Sequence, residues 1–321
     1  MEAPRFTLRQ LEIFLAVART GNISRAAESL HCSPSAISAS VTELERSVHA
    51  RLCVRKKSRG VVLTPQGRLM RTLAQQLLAD AAEVASTLDD SSGELAGVLR
   101  LGCYTPLAAS FLPPLLQGFG NLHPKVAIEL FEGSQDDLAA QMLAGEVDVS
   151  LVYESPGDSD LEWVHLLSRR PYVLVAEDHR LASRTTVALP ELADDPLILL
   201  DLPPSGHYTM AWFRQCGLRP NVRWRTHDIE LVRALVGSGL GYAVMLQRQR
   251  HNHSLDGAPL HALEIDPPVH PVEVFLVHRR GRATPRRVRA FIDFARERLA
   301  TPPEWTGAVA VTEKPPSGGK Q

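Results

Sequence analysis

Apolar residues recur at three- and four-residue steps near the start of the chain, and that spacing predicts helices. Leu8, Leu11, Phe14, Leu15 and Ala18 define one face of a helix over residues 7–19. Thr20-Gly21-Asn22 ends it, with Gly21 suited to the left-handed position past a helix C-terminus. A short second helix follows, capped by Asn22 or Ser24, with Ala26, Ala27 and Leu30 turned inward. After the His31-Cys32-Ser33 turn, Ser33 can accept from free first-turn amides and Pro34 already has the φ of a first helical residue. Ile37, Val41, Leu44 and Val48 form the inner stripe of this third helix, and Ser35, Ser38, Ala39 and Thr42 occupy its other face. Small and polar side chains are what a helix needs to reach base edges in a major groove; an ordinary exposed face would look the same. Residues 51–55 and 60–63 read as two short strands around the basic tip Lys56-Lys57-Ser58-Arg59. Thr64 and Pro65 then open a fourth helix that runs to about residue 89, with Leu73, Leu77, Ala81, Val84 and Leu88 in one stripe. At about 25 residues it would be ~37 Å long, and its stripe is expected to pair with a second copy.

Beyond residue 93 the pattern changes to alternating strands and helices, which predicts an α/β fold with a parallel sheet. Strands are expected at 98–102, 126–131, 147–152, 172–176, 197–200, 222–226, 241–246 and 272–278. Helices are expected at 108–122, interrupted near Pro113-Pro114, and at 135–144, 206–215, 230–238 and 285–299. Gly237-Ser238-Gly239-Leu240-Gly241 precedes a strand and lacks a following phosphate-loop lysine, so it reads as a helix end.

Charge divides the chain unevenly. Residues 1–70 carry eleven lysines and arginines against five carboxylates, a net +6, whereas all 321 residues sum to −1. The rest therefore sums to −7, and a polyanion would meet the amino end first. Charge asymmetry alone also fits a merely solvated face. A hydrophobic content of 44% with 22% charged residues is ordinary globular composition. No apolar run reaches the ~18 residues of a membrane span, and the opening MEAPRFTLRQLE has no signal-like apolar region. Cys32, Cys53, Cys103 and Cys216 lie far apart with no CxxC pair, which fits reduced thiols. The expected location is the cytoplasm, away from membranes.

In this order and at these intervals, several short motifs resemble the LysR-type transcriptional regulators. They are residues 11–14 and 21–23, Ala26-Ala27, Leu30, Ser33-Pro34-Ser35-Ala36-Ile37-Ser38, Leu44-Glu45, Leu52, Arg55, Arg59-Gly60 and Leu63-Thr64-Pro65-Gln66-Gly67. The resemblance implies an α/β protein with an N-terminal winged helix-turn-helix and a long linker helix. A two-lobed effector domain like a periplasmic binding protein follows. The expected divisions are 1–64 for the DNA-binding head, 65–92 for the linker and dimerisation helix, and 93–300 for the effector domain. Within the last, one lobe spans about 97–162 with 269–300 returning, and the other about 163–268; 301–321 is read as a disordered tail. The return of 269–300 is implied by the resemblance, not by chain order.

Carried over by position, the resemblance puts Ser33, Pro34, Ser35 and Ser38 at the DNA face of the third helix, where Thr42 is the further candidate. Arg55, Lys56, Lys57 and Arg59 would touch phosphates. Three positions depart from the usual pattern: Ala39 where a basic residue is common, His49 where a glycine is common, and Cys53 where phenylalanine is usual. For the effector, strand ends and helix starts name Tyr104, Thr105 and Ser134 in one lobe and Ser205, His207, Thr226 and His227 in the other. A carboxylate would suit free amides at a helix start. The competing view is that Ser134 and Ser205 only cap helices and that His207 and His227 are surface residues. The implied partners are double-stranded operator DNA, a small-molecule effector, and further copies in a homodimer or homotetramer, with RNA polymerase as another candidate. No enzyme activity, cofactor or metal site is expected: His251, His253, His261 and His270 sit in loop-like surroundings, and no GxSxG motif occurs. The alternative is a solute-binding or redox-sensing protein, using Cys103 or Cys216, whose head serves assembly.

Overall fold

A computed structural model describes residues 5–56, 60–88, 94–154, 160–249, 251–280, 284–300 and 308–309. The chain divides into two units, residues 1–97 with 141–146 and residues 98–140 with 147–321.

The amino-terminal unit is built from α1 (Leu8–Thr20), α2 (Ile23–Ser29), α3 (Pro34–Ser47), the hairpin β1 (Cys53–Lys56) and β2 (Gly60–Leu63), and α4 (Pro65–Leu88). Side chains close the helix starts. Thr7 and Gln10 form a reciprocal capping box on α1. Asn22 Oδ1 accepts from the amides of Ser24 and Arg25, which settles the choice between Asn22 and Ser24. Ser33 Oγ accepts from Ala36 N at 3.2 Å, with Pro34 behind it. Gly21 ends α1 at φ 61°. His49 closes the turn after α3 at φ 51°, a left-handed conformation that costs a histidine more than a glycine. Two adjoining apolar clusters make the core. Ile13, Val17, Ala26, Ala27, Ile37 and Val41 form one; Leu11, Phe14, Leu44, Leu52 and Ala74 form the other and tie α4 to the head. The expected stripe of α1 is displaced: Leu8 is 48% exposed, and Ile13, Ala16 and Val17 take the buried places because α2 and α3 pack on that side.

The second unit opens with β3 (Gly97–Tyr104), α5 (Thr105–Leu122), β4 (Val126–Gly133), α6 (Gln135–Leu143), β5 (Val149–Tyr153) and β6 (Leu161–Arg169). The chain then builds a second lobe from β7 (Tyr172–Ala176), β8 (Thr186–Val187), β9 (Pro196–Leu200), α7 (Ser205–Gln215), β10 (Asn221–Thr226), α8 (Ile229–Gly237), β11 (Ala243–Met245) and β12 (Leu260–Ile265). It returns through β13 (Val272–Arg279), α9 (Arg286–Leu299) and the short β14 (Ala308–Val309). The first lobe holds a six-stranded sheet in the order β14-β6-β13-β5-β3-β4. The second has β11-β7-β12-β8, with β9 and β10 parallel beside it and joined through Tyr242.

The structure differs from the expected parallel α/β arrangement in four respects. The sheets are mixed: β3 and β5 run parallel, but the returning β13 is antiparallel to both β5 and β6, and β7 is antiparallel to β11 and β12. The strands β6, β8 and β12 were not anticipated. β6 stays in the first lobe's sheet through Arg169, paired with Val272, so a division after residue 162 cuts a strand. α5 runs unbroken through Pro113 and Pro114, because Phe111, Leu112, Leu115 and Phe119 are buried and their packing outweighs the lost backbone bonds. Ala308 and Val309 of the expected disordered tail extend the sheet beside β6; the rest of 301–321 lies outside the described residues. Among the described residues, no helix is long and apolar enough to cross a membrane.

Candidate functional site

The first site is the outer face of α3. Ile37, Val41 and Leu44 are buried, which fixes the opposite side toward solvent. There Ser33, Pro34, Ser35, Ala39 and Thr42 are exposed and Ser38 is half-buried. The hydroxyls are pre-arranged: Ser33 and Ser35 Oγ lie 3.0 Å apart, and Thr42 Oγ1 donates to Ser38 O at 2.9 Å, which leaves its lone pairs as acceptors. With Ala39 at the centre, nothing bulky holds this face away from base edges.

The wing is fastened to the helices, at α3 and at the end of α1, by two devices that sequence reading missed. The Glu45 carboxylate accepts from the amides of Leu52 and Cys53 at 2.7 and 2.9 Å, bridging α3 to β1. Val61 N donates to Gly21 O at 2.7 Å, and Gly60, at φ 69°, packs so tightly there that a Cβ would overlap Gly21 O. Glu45 stood in a recognised motif, but nothing local signals that its donors are seven and eight residues on. Arg55 and Lys56 lie on β1, with only their backbone described; Lys57 and Arg59 lie outside the described residues.

The second site lies between the lobes. Tyr104 ends β3, and its hydroxyl donates to Leu202 O at 3.0 Å while lying 2.9 Å from Ser205 Oγ at the start of α7. With the phenol proton engaged by Leu202, Ser205 is the donor in that pair. Burial pushes the Tyr104 hydroxyl up to about 12, with Ser205 pulling the other way. Gln247, just past β11, donates through Nε2 to Tyr153 Oη at 2.8 Å. Tyr208 donates to Glu154 O, and Trp212 Nε1 to His270 O at 2.9 Å. Rings fill the space: Tyr104 and Tyr153 meet edge-on at 5.4 Å, and Tyr208 lies along Trp212 at 6.3 Å. What remains is a cavity of about 20 Å³ whose walls include Pro106, Tyr153, Ser205, Thr209, Trp212 and Gln247. That holds about one water molecule.

Of the effector candidates, Tyr104 and Ser205 are brought into direct contact. Thr105 Oγ1 donates to Gly133 O at 3.3 Å, next to Ser134. Ser134 donates to Asp137 Oδ2 at 2.6 Å and accepts from Asp137 N, so it caps α6. Thr226 Oγ1 accepts from Asp228 N, and His207 and His227 are exposed. Tyr153 and Gln247 were missed, although Tyr153 ends a strand as Tyr104 does. Cys103 is buried, and burial together with Glu132 pushes its thiol up, the opposite of a reactive thiolate; Cys216 is exposed. Among the described residues, no group of three His, Cys, Asp or Glu side chains is placed to hold a metal ion.

A basic winged head ahead of a two-lobed clamp defines a ligand-responsive DNA-binding protein. Residues 8–68 match the bacterial regulatory helix-turn-helix of the LysR family, and residues 92–300 match the LysR substrate binding domain. The chain belongs to the LysR family of transcriptional regulators, with a DNA-binding domain and an effector-binding domain, and the family's members are regulators and not enzymes. It is 26% identical to the regulator YvbU of Bacillus subtilis over 299 residues, covering 91% of this chain and 98% of that protein. It is 30% identical to the activator IlvY of Salmonella typhimurium over 241 residues, covering 74% and 81%. The crystal structure of HinK, a LysR family regulator from Pseudomonas aeruginosa, aligns with a TM-score of 0.61 at 31% identity, over 92% of this chain and 99% of that one.

Proposed function

We propose that this chain works in the cytoplasm as a homodimer or homotetramer that seats α3 in the major groove of an operator and places the wing on the flanking phosphates. The single observation that carries it is the α3 face, small and polar over Ser33, Pro34, Ser35, Ala39 and Thr42, on a helix whose other side is locked into the core. Leu69, Leu73 and Leu77 of α4 are 62%, 46% and 43% exposed at four-residue spacing, and a partner α4 would cover them. Two heads would then read half-sites about 34 Å apart or a multiple of that. An effector between the lobes changes their closure and so the spacing of the heads.

Mobility shifts with genomic fragments at moderate salt test this reading. A specific fragment should outcompete bulk DNA, and footprints should show two half-sites in phase. Equal affinity for all fragments would remove the regulatory role.

A further inference from the structure

The chemistry of the inter-lobe cavity says what kind of molecule it takes. None of the residues around it carries a formal charge; Leu200, Ile229, Val244, Met245 and Leu246 complete the wall. The hydrogen-bonding groups are almost all engaged: Tyr153 Oη by Gln247, Trp212 Nε1 by His270 O, Tyr104 Oη by Leu202 O and Ser205. One is not. Gln247 is 7% exposed and forms part of the wall, and its Oε1 has no donor among the described residues. A buried carbonyl oxygen without a donor is costly, and the group that relieves it must bring an N–H or O–H.

Three features count against an anion here. The α5 start, where free amides would meet a carboxylate, has Pro106 as its second residue, and Pro106 has no N–H and stands in the cavity wall. The α6 start already has carboxylates in its first turn, Asp136 and Asp137, and Asp137 takes the Ser134 hydroxyl. The buried Arg169 stacks its guanidinium over the Phe111 ring at 5.0 Å and is not part of the wall. Among the described residues of the wall there is no cation, so an ionised ligand would be left buried against an acceptor oxygen.

We infer that the effector of this chain is a small uncharged molecule that donates a hydrogen bond, from a hydroxyl or an amide N–H, to Gln247 Oε1 and lays an apolar body against Tyr153 and Trp212. This rests on the reading of the cleft as the effector site. Because the cavity has room for about one water, the ligand enters only as the lobes part and the Tyr104–Ser205 and Tyr153–Gln247 bridges exchange. This inference departs from the expectation that a carboxylate would suit the helix starts, and the matched probes decide between the two.

Matched probes test it on the full chain at neutral pH: benzyl alcohol and benzamide against benzoate, and 1,2-butanediol against butyrate, followed by saturation-transfer NMR and thermal shift. The neutral members should bind the wild type at least tenfold more tightly than their acids. Gln247→Met, which keeps length and removes the acceptor, should weaken the neutral members about tenfold with unchanged circular dichroism. Acids binding as well as alcohols, or no binding by any probe, overturns the inference, and the wild-type comparison needs no variant to fold. Thr209→Phe, which fills the cavity, separates the two readings. If it abolishes binding of whichever probes bind, the cleft is the site and only the charge preference is in question. Probes that still bind Thr209→Phe lie elsewhere, and both readings fall.

Discussion

The head and the effector unit solve the problem of presenting polar chemistry in opposite ways. In the head, the candidate DNA-reading hydroxyls of Ser33 and Thr42 lie on one face of one helix, exposed, and neighbours in sequence hold them: Ser33 caps its own helix and Thr42 bonds Ser38. In the effector unit the polar groups are buried, and each is held by a residue about a hundred positions away, Tyr104 by Ser205 and Tyr153 by Gln247. An exposed face can meet a rigid, hydrated polyanion without rearranging. A buried one can respond only by opening, which makes it fit for a switch and unfit for a docking surface.

The largest effect should come where the head departs from its own local logic, at the contact between the wing and the first turn. Gly60→Val would force a Cβ into Gly21 O at a φ of 69°. We expect the head to lose about 3 kcal/mol or more, and DNA binding with it, while the effector unit keeps its melting transition. A calorimetric trace with the early transition unmoved would mean that the wing is not anchored there.

Next comes the exposed chemistry itself. Lys56→Ala with Lys57→Ala should weaken binding to every sequence alike and lower the slope of log affinity against log salt by about 0.9 for each phosphate contact removed. A change confined to sequence preference would move these lysines from backbone to base.

Glu45→Gln keeps the shape and one acceptor but removes the charge facing Leu52 N and Cys53 N. Urea unfolding should show a loss of about 1–2 kcal/mol in the head. On the other side of the comparison, Tyr104→Phe leaves Leu202 O and Ser205 Oγ without their partner and should cost the effector unit about 1 kcal/mol. It should also make the lobes open more readily, seen as faster amide exchange in β3 and α7.

The smallest and most specific effect is in pH. Burial raises the Tyr104 and Tyr208 hydroxyls to about 12 from an ordinary 10. The folded state therefore holds these protons more tightly than the unfolded state. Their contribution is complete below pH 10 and is lost as the pH rises from 10 towards 12. The effector unit should lose stability in that window, and Tyr104→Phe should make the loss shallower. A head that declined in parallel would show that the loss is general.

The same contrast explains what the sequence made legible. Helix starts and stops in the head could be read because caps act over three residues, as with Ser33 and Ala36 or Asn22 and Arg25. The stripe Ile37, Val41, Leu44 could be read because a helix repeats its face regularly. Tyr104 and Ser205 were nameable from strand ends and helix starts, but their mutual bond was not, since no local pattern encodes a pairing across 101 positions. β6 was overlooked because Glu162, His165 and Ser168 interrupt its apolar residues, and α5 was wrongly broken because two prolines outweighed, on paper, a buried face. Gln247 was invisible: a glutamine after a strand is unremarkable until its amide is seen to be half satisfied.

The place of β13 has a consequence for how the protein is made. It lies between β5 and β6 in the first lobe, yet it begins only at Val272, after the whole second lobe. On a ribosome, the first lobe must wait with β6 unable to reach its neighbour in the sheet until nearly the entire polypeptide has emerged. The winged head can fold as soon as its own residues are released, so the part that grips DNA exists well before the part that governs it.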